Sequence, residues 1–519
     1  MYSLSTALSR AARVSRNRTA SQFQGRKQTW AETLDSVRRI AGAVASTGIS
    51  GNDRVAILGG NSDVYFQCLF AIPWAGAVAV PVNTRWAPAE IVYCLNDSGC
   101  RLLLVDEEFL EMVPEIIDSL DTIESVVSLG KSVLSSDIHS LDELIAASDP
   151  IDDQGRGGAD MAYLYYTGGT TGRSKGVIIT HEHMLVNSLQ WANATGPGRD
   201  DVLLIIAPMF HIAGGMNALA AAILAAGASF MNKFDPAEVV ENISSCGVTN
   251  AALVSVMVDA IVNHLEATST ELPELKTITY GGSPMPQTTL KRAMRALPHT
   301  QLNQVYGQTE GGPNISILPP RYHVLEGEHS GKLASAGQPL PGTYVEIMDE
   351  NDTTLPDGEV GEICVRGLTV SPGYWNLPEV TAETMRDGWL HTGDAGYLDE
   401  DGFLYIIDRV KDMIITGGEN VYSAEVENVI CMHPAVAECA VIGIPSERWV
   451  ETIHAIVRLR EGESTTEEAL MAHCRQYLAG FKCARSVEFR VEPFPVSGAA
   501  KVLKRELRAP YWEGHERKV

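Results

Sequence analysis

The sequence predicts an α/β protein: a large multi-sheet N-terminal domain of α/β layers, residues 1–408, and a small α+β C-terminal domain, residues 409–519. Three observations predict this. At 519 residues the chain exceeds what one hydrophobic core organises. Up to residue 282, short apolar runs alternate with helical stripes, the pattern of parallel strands joined by crossover helices. From residue 359 the pattern changes to antiparallel hairpin signals, and after Arg409 to a compact mixture of short helices and strands.

In chain order, MYSLSTALSRAARVSRNRTAS is Arg- and Ser-rich, with no acidic residue before Glu32, which is a transit-peptide composition. Leu4, Leu8, Ala11 and Val14 nevertheless recur at helical spacing, so an N-terminal helix is expected. Leu34, Val37, Ile40, Ala41, Val44 and Ala45 form a second stripe that stops at Gly48. Strand VAIL (55–58), a helix around 63–75, strand AVAVPV (77–82), a helix from Pro88 and strand LLLVD (102–106) follow. Residues 132–160 hold a short amphipathic piece and a loop. The alternation resumes with VLLIIA (202–207), a helix at 216–226, ASFM (228–231), a helix from Pro236, AALVSV (251–256) and TITYGG (277–282). The charge-free stretch from Leu203 to Met231 is long enough to span a bilayer. Its Pro208, His211, Asn217 and Gly214-Gly215 instead fit a buried strand, loop and helix. EVGEICVR (359–366) and GYLDEDGFLYII, with Asp401-Gly402 at its turn, read as an antiparallel strand and a hairpin. A helix from Ser423, strands at 436–442 and 453–459 and a helix at 466–478 complete the chain.

Net charge is −25, from 40 basic and 65 acidic residues, which argues against nucleic acid or an anionic membrane as a partner. An anionic substrate then has to be held by local basic groups and backbone N–H donors. Nine scattered cysteines with no CxxC pair read as reduced thiols of a cytoplasmic protein, with neither disulfide framework nor zinc site. No transmembrane segment is expected, and a homodimer is left open.

The most informative segment is YLYYTGGTTGRSKGV (163–177). An apolar strand enters a loop in which Gly168, Gly169 and Gly172 can bring backbone N–H groups close to a ligand. Thr167, Thr170 and Thr171 add hydroxyls and Lys175 a point charge, a nest suited to polyphosphate. An ordinary P-loop needs Ser or Thr directly after its lysine to bind magnesium, whereas Gly176 follows Lys175. Four further segments fit the same ligand. VYGQTEGG (305–312) places Thr309 beside Glu310 after a strand, a hydroxyl and carboxylate suited to a magnesium–phosphate complex; a simple strand-end turn is the alternative. TYGGSP (279–284) ends a strand in Gly281, Gly282 and Ser283, against which a flat ring could lie. GWLHTGDAGYLDEDG (388–402) sets Asp394 in a tight turn, able to accept two ribose hydroxyls or simply to cap the turn. DRVKDMIITGGENVYSAEVE (408–427) sets Arg409 and Lys411 before Gly417-Gly418 and a helix.

In this order and spacing the segments closely resemble the adenylate-forming (AMP-binding) superfamily of acyl- and aryl-CoA synthetases, adenylation domains and beetle luciferases, over residues 27–507. The resemblance implies a large N-terminal domain and a mobile C-terminal one. It puts the 167–175 loop on the β- and γ-phosphates of ATP, and Thr309 and Glu310 on phosphate and Mg²⁺. Gly281, Gly282, Ser283, Gln304, Tyr306 and Gly307 pack on adenine, and Asp394 binds ribose with Arg409 close by. His211 in PMFHIAGG stands beside the substrate carboxylate, and Lys501 in PVSGAAKVLKREL is the catalytic lysine. Lys411 matches the family hinge, and Gly417 and Gly418 line the coenzyme A thiol tunnel. The chain departs from the family pattern at Gly168 (commonly Ser), Ser174 (commonly Pro) and Ala500 (commonly Gly), leaving Lys175 and Lys501 in place.

The expected activity is that of an acyl-CoA synthetase. A carboxylic acid and MgATP give an acyl-adenylate, and coenzyme A then displaces AMP. The apolar, small residues at Ile212–Met216 and Leu253–Met257 imply an apolar acid, a medium- or long-chain fatty acid in the first reading and an aryl acid in the second. A luciferase-like oxygenase shares every motif up to the adenylate. A carrier-protein acceptor is disfavoured because no carrier serine motif is visible.

Overall fold

The structure, a computed structural model, describes residues 3–130, 138–167, 173–282, 285–327, 329–409, 412–416, 419–446, 448–496 and 502–513. Two compact units divide the chain, Met1–Tyr344 with Val365–Leu390, and Val345–Cys364 with His391–Val519.

The first unit holds two sheets. One has seven strands, in the spatial order Ile138–Ser140, Ser125–Ser128, Cys100–Val105, Arg54–Leu58, Val78–Pro81, Met161–Thr167 and Lys175–Thr180. All neighbours pair in parallel except the last two, which form an antiparallel ribbon with Thr167 opposite Lys175. The central strands read as continuous apolar runs because helices cover both faces, and Val55 to Leu58 and Val78 to Val80 are fully buried. The helix Trp30–Ser46 contains the predicted stripe and starts a turn ahead of Leu34, on a capping box. Thr29 accepts from the Glu32 N–H, and the Glu32 carboxylate accepts from the Thr29 N–H at 2.8 Å. The N-terminal helix is Leu4–Val14, with Leu4, Leu8 and Ala11 buried and Val14 facing solvent.

The other sheet has nine strands, in the order Gln338–Pro339, Gly312–Leu318, Gln301–Gln308, Thr277–Gly281, Asn250–Val254, Val202–Ile205, Gly227–Phe230, Thr19–Phe23 and Arg26–Thr29. The charge-free stretch is strand, helix Ile212–Leu224 and strand, as expected, and among the described residues no helix is long and apolar enough to cross a membrane. Some boundaries differ from those the sequence predicts. The helix expected at 216 begins at Ile212, because His211 takes the extended N-cap conformation. The run AALVSV ends as strand at Val254, and Ser255 opens the next helix.

In the second unit, Leu404–Arg409 pairs antiparallel with Trp389–Leu398, and Glu419–Val421, Ile414–Thr416, Val450–Leu459, Val436–Ser446 and Ser486–Phe489 form a further sheet. The division falls earlier than the boundary read at 408–409. That boundary would sever the last residue of strand Leu404–Arg409 and detach Asp408 from the helix Ser423–Cys431. The Asp408 carboxylate accepts from Ser423 Oγ at 2.5 Å and from the Ala424 N–H at 3.2 Å. Lys504 Nζ donates to the same Ser423 Oγ at 2.6 Å and pairs with Glu427 at 2.7 Å, closing a partly buried polar cluster. None of the nine cysteines is joined in a disulfide.

Candidate functional site

In the first unit, the strand Met161–Thr167 delivers Thr167 to the loop, and Lys175 is the first residue of the returning strand. Gly168, Gly169, Thr170, Thr171 and Gly172 lie outside the described residues. The Lys175 ammonium sits 4.8 Å from the centre of the Tyr374 ring. The Tyr374 hydroxyl donates to Glu310 Oε1 at 2.8 Å. Burial first, and then the neighbouring Glu310, push the phenol well above its ordinary range, so it stays protonated and remains a donor. One tyrosine therefore joins the Lys175 ammonium to the carboxylate of the Thr309-Glu310 pair.

Backbone pairing keeps Tyr374 there. Trp375 N–H donates to Gly176 O at 2.7 Å, Ile178 N–H to Gly373 O at 3.0 Å and Ser371 N–H to Glu310 O at 2.7 Å. Ser371 Oγ donates to Ile178 O at 2.8 Å. Segment 371–375 is thus a strap fixed both to the strand Lys175–Thr180 and to the turn carrying Glu310. The sequence reading missed Tyr374. Its only signal is the aromatic pair in SPGYWN (371–376), which has no periodic context.

Thr309 and Glu310 form a 3₁₀ turn directly after the strand Gln301–Gln308, as expected. Their hydroxyl and half-buried carboxylate are hard oxygen donors, the set Mg²⁺ takes, so the residues fit that ion. Gly281 ends its strand where a Cβ would lie 2.5 Å from Val305 O, so only glycine allows this approach. Gly307 is equally close to the backbone of Pro313, and Gly282 follows Gly281 at the strand end. Ser283 lies outside the described residues. Gln304 Oε1 is 3.4 Å from the Tyr280 hydroxyl, which is 3.0 Å from His323 Nε2. Burial pushes His323 down to about 4, so it is neutral near pH 7. With Nδ1 3.2 Å from Pro319 O, its proton sits on Nδ1 and Nε2 accepts from Tyr280. Tyr306 stands opposite Ser316 in the register. His211 precedes the helix Ile212–Leu224, its ring 4.7 Å from Phe210.

In the second unit Asp394 and Arg409 face each other across the hairpin, with Asp394 Oδ1 3.4 Å from Arg409 Nε. Asp394 is not in a tight turn. It lies within the strand Trp389–Leu398, after Gly393 at φ +72° and before a register shift at Ala395/Gly396. The glycine supplies the kink that the sequence suggested as a turn. Lys411, Gly417, Gly418 and Lys501 lie outside the described residues.

Comparison with known proteins gives consistent matches along the chain. Residues 8–375 match the AMP-binding enzyme family and residues 425–501 the AMP-binding enzyme C-terminal domain. The chain is 38% identical to a feruloyl-CoA synthase from Amycolatopsis sp. over 501 residues, covering 96% of this chain and 97% of the relative. It is 34% identical to a long-chain-fatty-acid–CoA ligase of Escherichia coli O6:H1, covering 89% and 86%. The solved structure of o-succinylbenzoate CoA synthetase from Bacillus subtilis with its acyl-adenylate intermediate superposes with a TM-score of 0.86 at 30% identity, covering 96% and 97%.

Proposed function

The chain belongs to the AMP-binding enzyme family, and from that premise we propose that it is an AMP-forming carboxylic acid–CoA ligase that uses ATP, Mg²⁺ and coenzyme A. The observation that carries this reading is the convergence of Lys175 and Glu310 on Tyr374. A fixed cation and a fixed carboxylate on one side chain suit a magnesium-bound polyphosphate better than a free anion. Thr309 and Glu310 would hold Mg²⁺, which when bound offsets charge on the phosphates. Lys175, with the 167–172 loop, binds and orients the phosphate chain, and Asp394 takes the ribose hydroxyls. The substrate carboxylate oxygen attacks the α-phosphorus and the bond to the pyrophosphate oxygen breaks, so pyrophosphate leaves. Lys501 stabilises the charge that grows during that step. In the second step the coenzyme A sulfur attacks the acyl carbon, AMP leaves with the electron pair of the acyl C–O bond, and the thiol proton passes to solvent. Coenzyme A-dependent release of AMP, with pyrophosphate and no ADP, tests the reading. ADP as product would overturn it, and AMP release indifferent to coenzyme A would favour an oxygenase.

For the acid, two buried amides favour an aryl acid with a polar substituent. Thr279 and Asn303 are register partners on the face of the nine-stranded sheet opposite Ile278, Tyr280 and Leu302. Leu203 and Ile205, also on that opposite face, pack in one core with Met216 and Leu219 of the helix Ile212–Leu224. Asn303 on the sheet and Asn217 on this helix are 1% and 7% exposed, and among the described residues neither Asn303 amide atom nor Asn217 Oδ1 has a partner. A saturated chain would leave these groups unpaired at about 1–3 kcal/mol each, whereas a hydroxyl, alkoxy or keto group could satisfy them. A medium- or long-chain fatty acid is the second reading, supported by the small residues Ala213, Gly214 and Gly215 and by the Escherichia coli relative. A pyrophosphate-release screen across hydroxylated cinnamates and benzoates, plain aryl acids and straight-chain acids decides. Activity confined to straight-chain acids would overturn the aryl reading.

A further inference from the structure

We infer that Glu362 is a positioning residue for the nucleotide site, because its carboxylate fixes the kinked segment that presents Asp394. The inference rests on the reading of Asp394 as the group that takes the ribose hydroxyls. Glu362 lies on the strand Gly361–Gly367. Its Oε1 accepts from the Gly393 N–H at 2.9 Å, and its Oε2 lies 2.9 Å from His391 Nδ1. One carboxylate therefore holds both ends of His391-Thr392-Gly393. The middle residue is held from the same strand, with Thr392 Oγ donating to Ile363 O at 2.7 Å. The Thr392 hydroxyl oxygen in turn accepts from the Asp394 N–H at 3.1 Å. Three successive residues before Asp394 are thus anchored to residues 362–363, at the point where Gly393 takes a left-handed backbone. A segment that leaves regular strand geometry is specified by such bonds rather than by ladder pairing, so removing the carboxylate frees the direction of Asp394 while leaving the sheet intact.

Glu362, Cys364 and His391 also offer ligand atoms within 4.8 Å of one another, the pattern of a metal site. The hydrogen bonds favour the positioning role. One Glu362 oxygen is committed to Gly393, and the other already satisfies the imidazole. Cys364 Sγ lies farther from that nitrogen, at 3.4 Å.

The test compares wild type, Glu362→Ala, Glu362→Gln and Asp394→Ala as full-length proteins, measuring kcat/KM for ATP and for 2′,3′-dideoxyATP by pyrophosphate release. The ratio of the two constants within one preparation does not depend on the fraction of active protein, so partial misfolding cannot mimic the result. Asp394→Ala should abolish the preference for ATP. Glu362→Ala should lower that preference about tenfold, through KM for ATP, with KM for the acid unchanged, and Glu362→Gln should restore most of it. Loss of preference in Asp394→Ala but not in Glu362→Ala overturns the inference alone. An unchanged preference in Asp394→Ala overturns the ribose reading and the inference with it. Stoichiometric zinc in the purified wild type, lost in Glu362→Ala, would replace the positioning role with a metal site.

Discussion

Replacing Tyr374 by phenylalanine tests the junction of Lys175 with the Glu310 carboxylate at its narrowest point. The ring stays, and with it the 4.8 Å approach of Lys175; only the hydroxyl that donates to Glu310 at 2.8 Å is lost. A hydrogen bond to a charged group contributes about 1.5–3 kcal/mol, and half-burial of Glu310 argues for the lower end. About 1.5 kcal/mol corresponds to roughly a tenfold loss in kcat/KM for ATP. Tyr374→Leu removes the ring as well, and a cation–π contact of about 0.5–1 kcal/mol adds a further factor of about two to five. ATP–pyrophosphate exchange reads the adenylation half-reaction without coenzyme A and is the appropriate assay. In a double-mutant cycle with Glu310→Gln, most of the Tyr374→Phe effect should disappear. Exchange by Tyr374→Phe within twofold of wild type at all Mg²⁺ concentrations would refute the coupling.

Three further outcomes are expected. Lys501→Ala should lower pyrophosphate exchange by about 10²–10³ while ATP still binds, and an intact exchange rate would remove Lys501 from the adenylation step. Lys504→Met leaves the partly buried Glu427 without its cation and should cost about 1–3 kcal/mol in urea unfolding, partly recovered by adding Glu427→Gln; no change in midpoint would contradict the pair. Burial pushes His181, His183 and His323 from 6.5 down to about 4. Above pH 6.5 both folded and unfolded states leave these rings neutral, and between 6.5 and about 4 only the unfolded chain takes up protons. Thermal stability should therefore fall as pH drops through that window, with a shallower slope in His183→Met, and a flat profile would show that the three rings are not neutral in the fold.

What the sequence reveals and what it hides follow from the range of the forces involved. The strands Arg54–Leu58, Val78–Pro81 and Cys100–Val105 are legible because burial on both faces leaves unbroken apolar runs. Thr309-Glu310 and Lys175 are legible because their chemistry is carried by neighbours in the chain. Tyr374 is not. It acquires its role from a strap that returns to the strand Lys175–Thr180 some two hundred residues later, and nothing local in SPGYWN announces that pairing. The placement of the N-terminal strand Thr19–Phe23 beside Gly227–Phe230 is hidden for the same reason. Asp394 is an intermediate case. Its glycine was visible, but glycine serves a turn and a kinked strand equally well.

The discontinuity of the two units bears on how the protein can be taken apart. Because Val365–Leu390 belongs with Met1–Tyr344, a fragment stopped at residue 344 would lack Tyr374 and its strap, and one stopped at 408 would lose Arg409 from the hairpin and the helix Ser423–Cys431 to which Asp408 is bonded. Isolating the unit that carries Lys175, Glu310 and Tyr374 calls for a chain spliced from 344 to 365 and ended at 390. Its ability to bind inorganic pyrophosphate would measure how far that half of the enzyme is self-sufficient.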